Sequence, residues 1–231
     1  MKKHRLELAL GFLLTALFVA LCLWLNPGNR GKLAPAEVDL YIGRMKGMLP
    51  VPPAEEAEFL ARLRAWASAD DGRPVYMLNV MSYHDTLRRV PGAETITASP
   101  VAANAIYERS VMPMLFRLGG YPLFGGDSTG IRTASGPHSD VVGMDGSVDD
   151  TDRILVVRYP NRRAFLRLVA DPQYLKFAPY KFSALKLGLV PLEAETIIPD
   201  PRWAVGALLL IVFLGFSWLR SANRARTSVN R

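Results

Sequence analysis

Hydrophobic and polar positions fall into three regimes along this chain. Leu8 to Leu25 (LALGFLLTALFVALCLWL) is an uncharged run of 18 residues, and Trp203 to Leu219 (WAVGALLLIVFLGFSWL) is another of 17. At about 1.5 Å per residue each run just crosses a bilayer's hydrocarbon core, so 8–25 and 203–219 are expected to be transmembrane helices. Trp24, Trp203 and Trp218 stand at the ends of the runs, where amphipathic rings favour the interface. A cleaved signal peptide is the rival reading of the first run. The run is longer than a usual signal core and no small-x-small cleavage site follows before Asn26, so an uncleaved anchor is preferred. The residue before Cys22 is Leu21, where a lipoprotein signal wants a small one.

Between the runs the pattern is that of a folded domain. Residues 26–33 (NPGNRGKL) read as a linker, and 34–49 and 52–70 as two short helices, so 26–72 is a linker and helical collar. The second helix opens with Pro52-Pro53 and carries Glu55, Glu56 and Glu58 in its first turns, while Phe59, Leu60, Leu63 and Trp66 share a face. From Arg73 the periodicity changes. PVYMLNVMSYH predicts a strand at 75–84, VAANAIYERSVMPMLFRL a helix at 101–118 with an irregularity at Pro113, and YPLFG a second strand. The Gly-, Ser- and Asp-rich stretch 126–152 predicts a long hairpin connection, and RILVVRY a strand at 153–159. Pro160-Asn161 then opens a helix with Phe165, Leu168 and Val169 on one face and Arg162, Arg163 and Arg167 on the other. Further helical turns follow, broken at Pro179, before a last strand at 187–195. The order βαββαβ is the ferredoxin-like unit, an α+β domain over 73–199. Helices cover one face of such a sheet. Ile154 and Val156 point one way and Leu155 and Val157 the other, so the helix-free face is apolar too, and a second copy of the chain is its expected cover. A homodimer is therefore expected.

Charge sharpens the topology. The chain has 231 residues with 28 Lys+Arg against 21 Asp+Glu, a net charge of +7. The first 25 residues carry +2 and residues 201–231 carry +5, leaving 20 bases and 20 acids in the middle. The excess thus flanks the apolar runs. By the positive-inside rule, 1–7 and 220–231 are cytoplasmic and the neutral middle is translocated. A nucleic-acid partner is not expected, because the basic tail is a topology signal rather than a dense cluster. Half the residues are apolar, which excludes a disordered chain, and a single Cys excludes a disulfide framework or a Cys-based zinc site.

The segments MLNVMSYHD (77–85), AIYERSVMPMLFRLGGYPLFGGD (105–127) and above all ILVVRYPNRRAFLRLVADPQYLKFAPYKFSALKLGLVPLEA (154–194) resemble an uncharacterised bacterial family. It is the domain of unknown function number thirteen-thirty, within the dimeric α+β-barrel superfamily. The resemblance spans about residues 75–195, with RYPNRRAFLRLVADPQY its most specific part. It implies a ferredoxin-like subunit, a dimer and a cavity between sheet and helices, in a bacterial inner-membrane setting here, and it implies no settled activity. Two departures stand out. Tyr180-Lys181 replaces a His-Arg pair frequent in relatives, and the usual member is small and soluble.

Candidate chemistry is sparse. Of the three histidines, His4 precedes the first run, and His84 and His138 have no metal-type ligand at helical spacing, so no metal or cofactor is expected. Asn79 and Arg158 are polar residues inside apolar strands, and an unpartnered one would cost about 1–3 kcal/mol, so each needs a ligand or a structural partner. The structural reading gives Asn79 the backbone and Arg158 a carboxylate such as Glu108 or Glu193. The functional reading has Arg158 clamp a ligand carboxylate or enolate, Asn79, Tyr83 and His84 supply donors or a base, and Tyr107, Tyr174, Phe177 and Tyr180 form an aromatic wall. No GxSxG elbow, phosphate loop, GxGxxG or HExxH is present. Two functions stay open. The first, favoured for want of a compelling acid/base pair, is a membrane-anchored module that binds a small, partly apolar ligand or a neighbouring membrane protein. The second is a cofactor-independent monooxygenase or isomerase acting on a hydrophobic substrate, with His84 and Arg158 catalytic.

Overall fold

The computed structural model describes residues 31–134, 136–143, 146 and 148–193, together with isolated helical positions between 9 and 24 and between 207 and 222. Both apolar runs thus lie largely outside the described residues, as do 194–199. Among the described residues no helix is long and apolar enough to cross a membrane. The chain divides into two compact units, 1–193 and 194–231.

Two helices come first, α1 (Pro35–Met45) and α2 (Pro53–Ser68). In α1 the apolar positions fall at helical spacing, and Val38, Tyr41, Ile42 and Met45 are buried; Pro35 opens it and Glu37 accepts from the Ala34 N–H at 3.1 Å. In α2 the buried stripe is Leu60, Leu63 and Ala67. These helices share one core with the sheet, since Val38, Met45 and Leu63 belong to the same buried cluster as Val75, Val157 and Phe165. Arg163 locks the join. Its guanidinium bonds both Glu37 carboxylate oxygens, at 2.9 and 3.0 Å, and donates to the Gly31 and Lys32 carbonyls at 3.2 and 3.1 Å. The expectation that Arg163 lies on a solvated helix face is thereby corrected: it is 6% exposed, drawn inward by a carboxylate 126 residues away.

The domain continues with β1 (Val75–Tyr83), α3 (Pro100–Arg117), β2 (Tyr121–Asp127), β3 (Ile131–Thr133), β4 (Gly136–His138), β5 (Arg153–Tyr159), α4 (Arg162–Val169), α5 (Pro172–Ala184) and β6 (Leu185–Leu192). The four long strands form an antiparallel sheet in the order β2-β5-β1-β6. Order and sense match the ferredoxin-like arrangement, with β3 and β4 as a separate hairpin inside the 126–152 connection. Two further differences concern prolines. Pro113 and Pro179 lie inside α3 and α5, which run on through them. An internal proline costs about 3 kcal/mol, and in α5 it is offset by burial of Tyr174, Leu175, Ala178 and Ala184. Caps mark the helix starts: Ser99 accepts from the Ala102 N–H, Asn161 from Ala164 and Asp171 from Gln173. Gly119, at φ +73°, turns the chain out of α3, and a Cβ on Gly120 would collide with Leu115 Cδ1.

Strand parity sorts the sheet into two faces. Val75, Met77, Asn79 and Met81 of β1 and Leu155, Val157 and Tyr159 of β5 face the helices. Leu78, Val80, Ile154 and Val156 face away and pair across strands with Val190, Gly188 and Phe124. Among the described residues that second face bears no helix and stays apolar, with Phe124 60%, Val190 43% and Leu192 39% exposed.

Candidate functional site

The helix-covered face holds a buried polar cluster. Asn79, 4% exposed, donates from Nδ2 to the carbonyls of Met77 and Leu155, each at 3.1 Å, which fixes its amide plane. Its Oδ1 accepts from Lys181 Nζ at 3.0 Å. Lys181 reaches this point because α5 places Tyr174, Ala178 and Lys181 on one buried stripe. Its ammonium also lies 5.1 Å from the centre of the Tyr107 ring. Tyr107 donates to the Tyr174 hydroxyl at 3.3 Å, and the two rings meet edge to face at 5.9 Å. Burial governs the ionisation of the cluster. It pushes the Tyr107 and Tyr174 phenols up and lowers the Lys181 ammonium to about 8. Among the described residues Lys181 forms no ion pair. Glu108 is the carboxylate whose field favours its charge, and Glu108 itself bonds Asn104 at 3.0 Å and Arg153 at 3.3 Å.

Two spaces adjoin the cluster. A partly open cavity of about 30 Å³ is lined by Asn79, Lys181, Tyr107, Tyr174, Tyr159 and apolar side chains. Beside it, an open groove of about 760 Å³ runs between α2 and the edge strand β6. Leu49, Phe59, Met77, Phe165 and Leu189 belong to the walls of both, so the cavity lies directly behind the groove. A groove of that volume is within the range of small-molecule sites, whereas the cavity has room for only one or two water-sized groups.

The structure divides the residues singled out by sequence. Asn79, Tyr107 and Tyr174 meet at the cavity. His84 lines the groove near its mouth, with Arg88 and Lys186; partial burial and these two cations hold its imidazole below the ordinary range. Tyr83 faces α3, accepting from Asn104 Nδ2 at 3.4 Å, and burial raises its phenol. Tyr180 packs against Phe177 at 6.3 Å and lines neither space. Arg158 lies on the opposite sheet face from Asn79, because it pairs with Tyr76 while Asn79 pairs with Leu155. There its guanidinium covers the Tyr121 ring at 5.5 Å. The carboxylates suggested for it are engaged elsewhere, Glu108 with Arg153 and Glu193 with Arg162 at 3.9 Å. Within one chain, then, Arg158 does not join Asn79, Tyr107 and Tyr174. The residue that does is Lys181, noted in the sequence only as a departure from relatives. Its signal was the seven-residue spacing from Tyr174. His138 closes the small hairpin, bonding Asp149 at 2.6 Å and Thr133 at 3.0 Å. Among the described residues no group of three His, Cys, Asp or Glu side chains is placed to hold a metal ion.

Comparison with known proteins yields little. No family matches the chain, and no curated protein does. Among solved structures, a protein of unknown function from Rhodopseudomonas palustris is similar at 24% identity and a TM-score of 0.45, over 62% of this chain and 94% of its own. A methylated form of the same protein gives 22% and 0.46, over 60% and 91%. SnoaB, a cofactor-independent oxygenase from Streptomyces nogalater, is similar at 15% identity and a TM-score of 0.34, over 55% and 99%. The fold assignment above stands on strand order and sense alone.

Proposed function

We propose that this chain is a membrane-anchored module whose α+β domain faces away from the cytoplasm and binds a small, partly apolar ligand in the groove between α2 and β6. The carrying observation is the groove itself, about 760 Å³ of mainly apolar wall backed by a polar cluster. Apolar area gives such a site affinity and a few fixed polar groups give it selectivity. The apolar runs at 8–25 and 203–219, with basic flanks, support two anchors and cytoplasmic termini. Trp24, at the end of the first run, stacks on Tyr121 at 6.0 Å and donates to the Phe116 carbonyl at 2.7 Å, which favours the α3–β2 corner as the membrane-proximal part of the domain. The exposed apolar face carrying Ile154, Val156 and Phe124 supports pairing with a second copy.

Native mass spectrometry of the full chain released from detergent tests the reading. A dimer retaining a small molecule is the expected result; a bare monomer overturns both the ligand and the dimer. Alkaline phosphatase fused at the C-terminus should be inactive, and active when inserted after Gly143; the reverse pattern overturns the orientation. The catalytic alternative finds less support, since His84 and Arg158 lie in the groove wall and on the opposite sheet face respectively.

A further inference from the structure

We propose that Lys181 anchors an anionic oxygen, so that the ligand of the groove is a carboxylate carried on an apolar body; this rests on the groove being a ligand site. The cations around the groove mouth already have carboxylate partners: Arg88 bonds Glu55 at 2.5 Å, Arg62 bonds Glu58 at 2.6 Å and Lys186 bonds Asp150 at 2.6 Å. Lys181 differs from all of them. It is 6% exposed, and among the described residues its ammonium meets neutral groups, the Asn79 amide oxygen and the face of Tyr107. An ammonium has three N–H donors, and among the described residues Asn79 Oδ1 is its one hydrogen-bond acceptor. Burying an ammonium costs several kcal/mol unless an anion and hydrogen bonds compensate. A carboxylate would supply both.

The space beside Lys181 suits that group. The cavity of about 30 Å³ is too small for a ligand and large enough for the oxygens of a carboxylate. Tyr107 donates to Tyr174, so the Tyr174 hydroxyl keeps its own proton for a second hydrogen bond from the same wall. Asn79 is held by two backbone carbonyls and therefore fixes the direction of the Lys181 head. The walls common to cavity and groove, among them Leu49, Phe59, Met77, Phe165 and Leu189, are apolar, which matches a ligand whose charge is confined to one end.

Isothermal titration of the full chain in nanodiscs, with empty nanodiscs as reference, separates the possibilities. The probes are 2-naphthoate, the neutral 2-naphthamide and the cationic 2-naphthylmethylamine. Naphthoate should bind at least tenfold tighter than the amide, and the amine weakest. Lys181→Met should erase the preference for naphthoate while leaving amide affinity within about twofold. Tyr174→Phe, which removes one oxygen, should reduce the preference several-fold and keeps the question open to test if Lys181→Met does not fold. Equal affinity for acid and amide in the parent chain, or a preference surviving both substitutions, overturns the role of Lys181 and leaves the groove standing. No binding of any probe overturns the groove, and the Lys181 anchor with it.

Discussion

Replacing Lys181 by Met should change the stability of this protein in a way that reverses with pH. The drop of the Lys181 ammonium from 10.5 to about 8 corresponds to about 3 kcal/mol of disfavoured charge in the folded chain. Below pH 8 both folded and unfolded chains hold the proton, so the folded state bears that cost in full. As pH rises from about 8 towards 10.5 the folded chain sheds the proton while the unfolded chain keeps it, and the cost is relieved. Met has a similar length and no charge, so the variant escapes the cost at every pH. It also strands Asn79 Oδ1, a loss of about 1–2 kcal/mol for a buried acceptor. The balance at pH 7 is a gain of about 1–2 kcal/mol, or a rise in Tm of about 2–8 °C for a unit of this size. Near pH 10 most of the cost is gone and the balance turns to a loss of up to about 1 kcal/mol. The groups that face Lys181 are Asn79 on β1, Tyr107 and Glu108 on α3 and Tyr174 on α5. Burial raises both phenols, so in the folded chain they keep their protons over the interval in which Lys181 titrates. Thermal melts of the full chain in mild detergent, followed by tryptophan fluorescence at pH 7 and pH 10, give the comparison. A variant less stable than the parent at pH 7, or a difference that does not move with pH, would show that the buried ammonium carries no such cost.

Other substitutions probe other parts of the argument. Arg163→Ala removes four hydrogen bonds that join α4 to α1 and the segment before it; about 2–3 kcal/mol should be lost, read as a fall in Tm. Asn161→Ala deprives the Ala164 N–H of its 2.9 Å cap and should cost about 1 kcal/mol in the same assay. Val156→Asp puts a charge in the middle of the helix-free face and should convert dimer to monomer in mass photometry while Tm changes little; a persistent dimer would place the interface elsewhere.

Much of the fold was legible because local signals agreed. RILVVRY is bounded by Asp152 and Pro160, and β5 spans Arg153–Tyr159 as its pattern demands. The β3–β4 hairpin is not legible, since the three-residue strands Ile131–Thr133 and Gly136–His138 are too short to show a period. Pro179 was read as a break because sequence displays the local penalty and not the packing that offsets it. At the site, Asn79 stood out as polar within an apolar strand. Lys181 did not, because lysine on a helix is ordinary until the helix's inward face is known, and its partner lies 102 residues away. The separation of Arg158 from Asn79 depends on strand register, which only the β1–β5 pairing fixes.

That separation has a consequence for the whole molecule. A sheet with helices on one side offers two surfaces of different character, and this chain uses parity to keep them apart. Odd positions of β1 and β5 lead to the cavity, where Asn79 and Lys181 supply the polarity; even positions lead to Ile154, Val156 and Leu78, where Arg158 stacked on Tyr121 is the polar feature. A partner seated over the β2–β5 part of the second face can therefore pair without shutting the groove, because the groove opens at the other edge of the sheet, between α2 and β6. Ligand binding and self-association should accordingly respond to different substitutions. Val156→Asp should leave naphthoate affinity within about twofold, and Lys181→Met should leave the oligomeric state as it was. If either variant disturbs both properties, the two faces are coupled through the sheet, and β1, the strand whose alternate residues serve each face, is where that coupling must run.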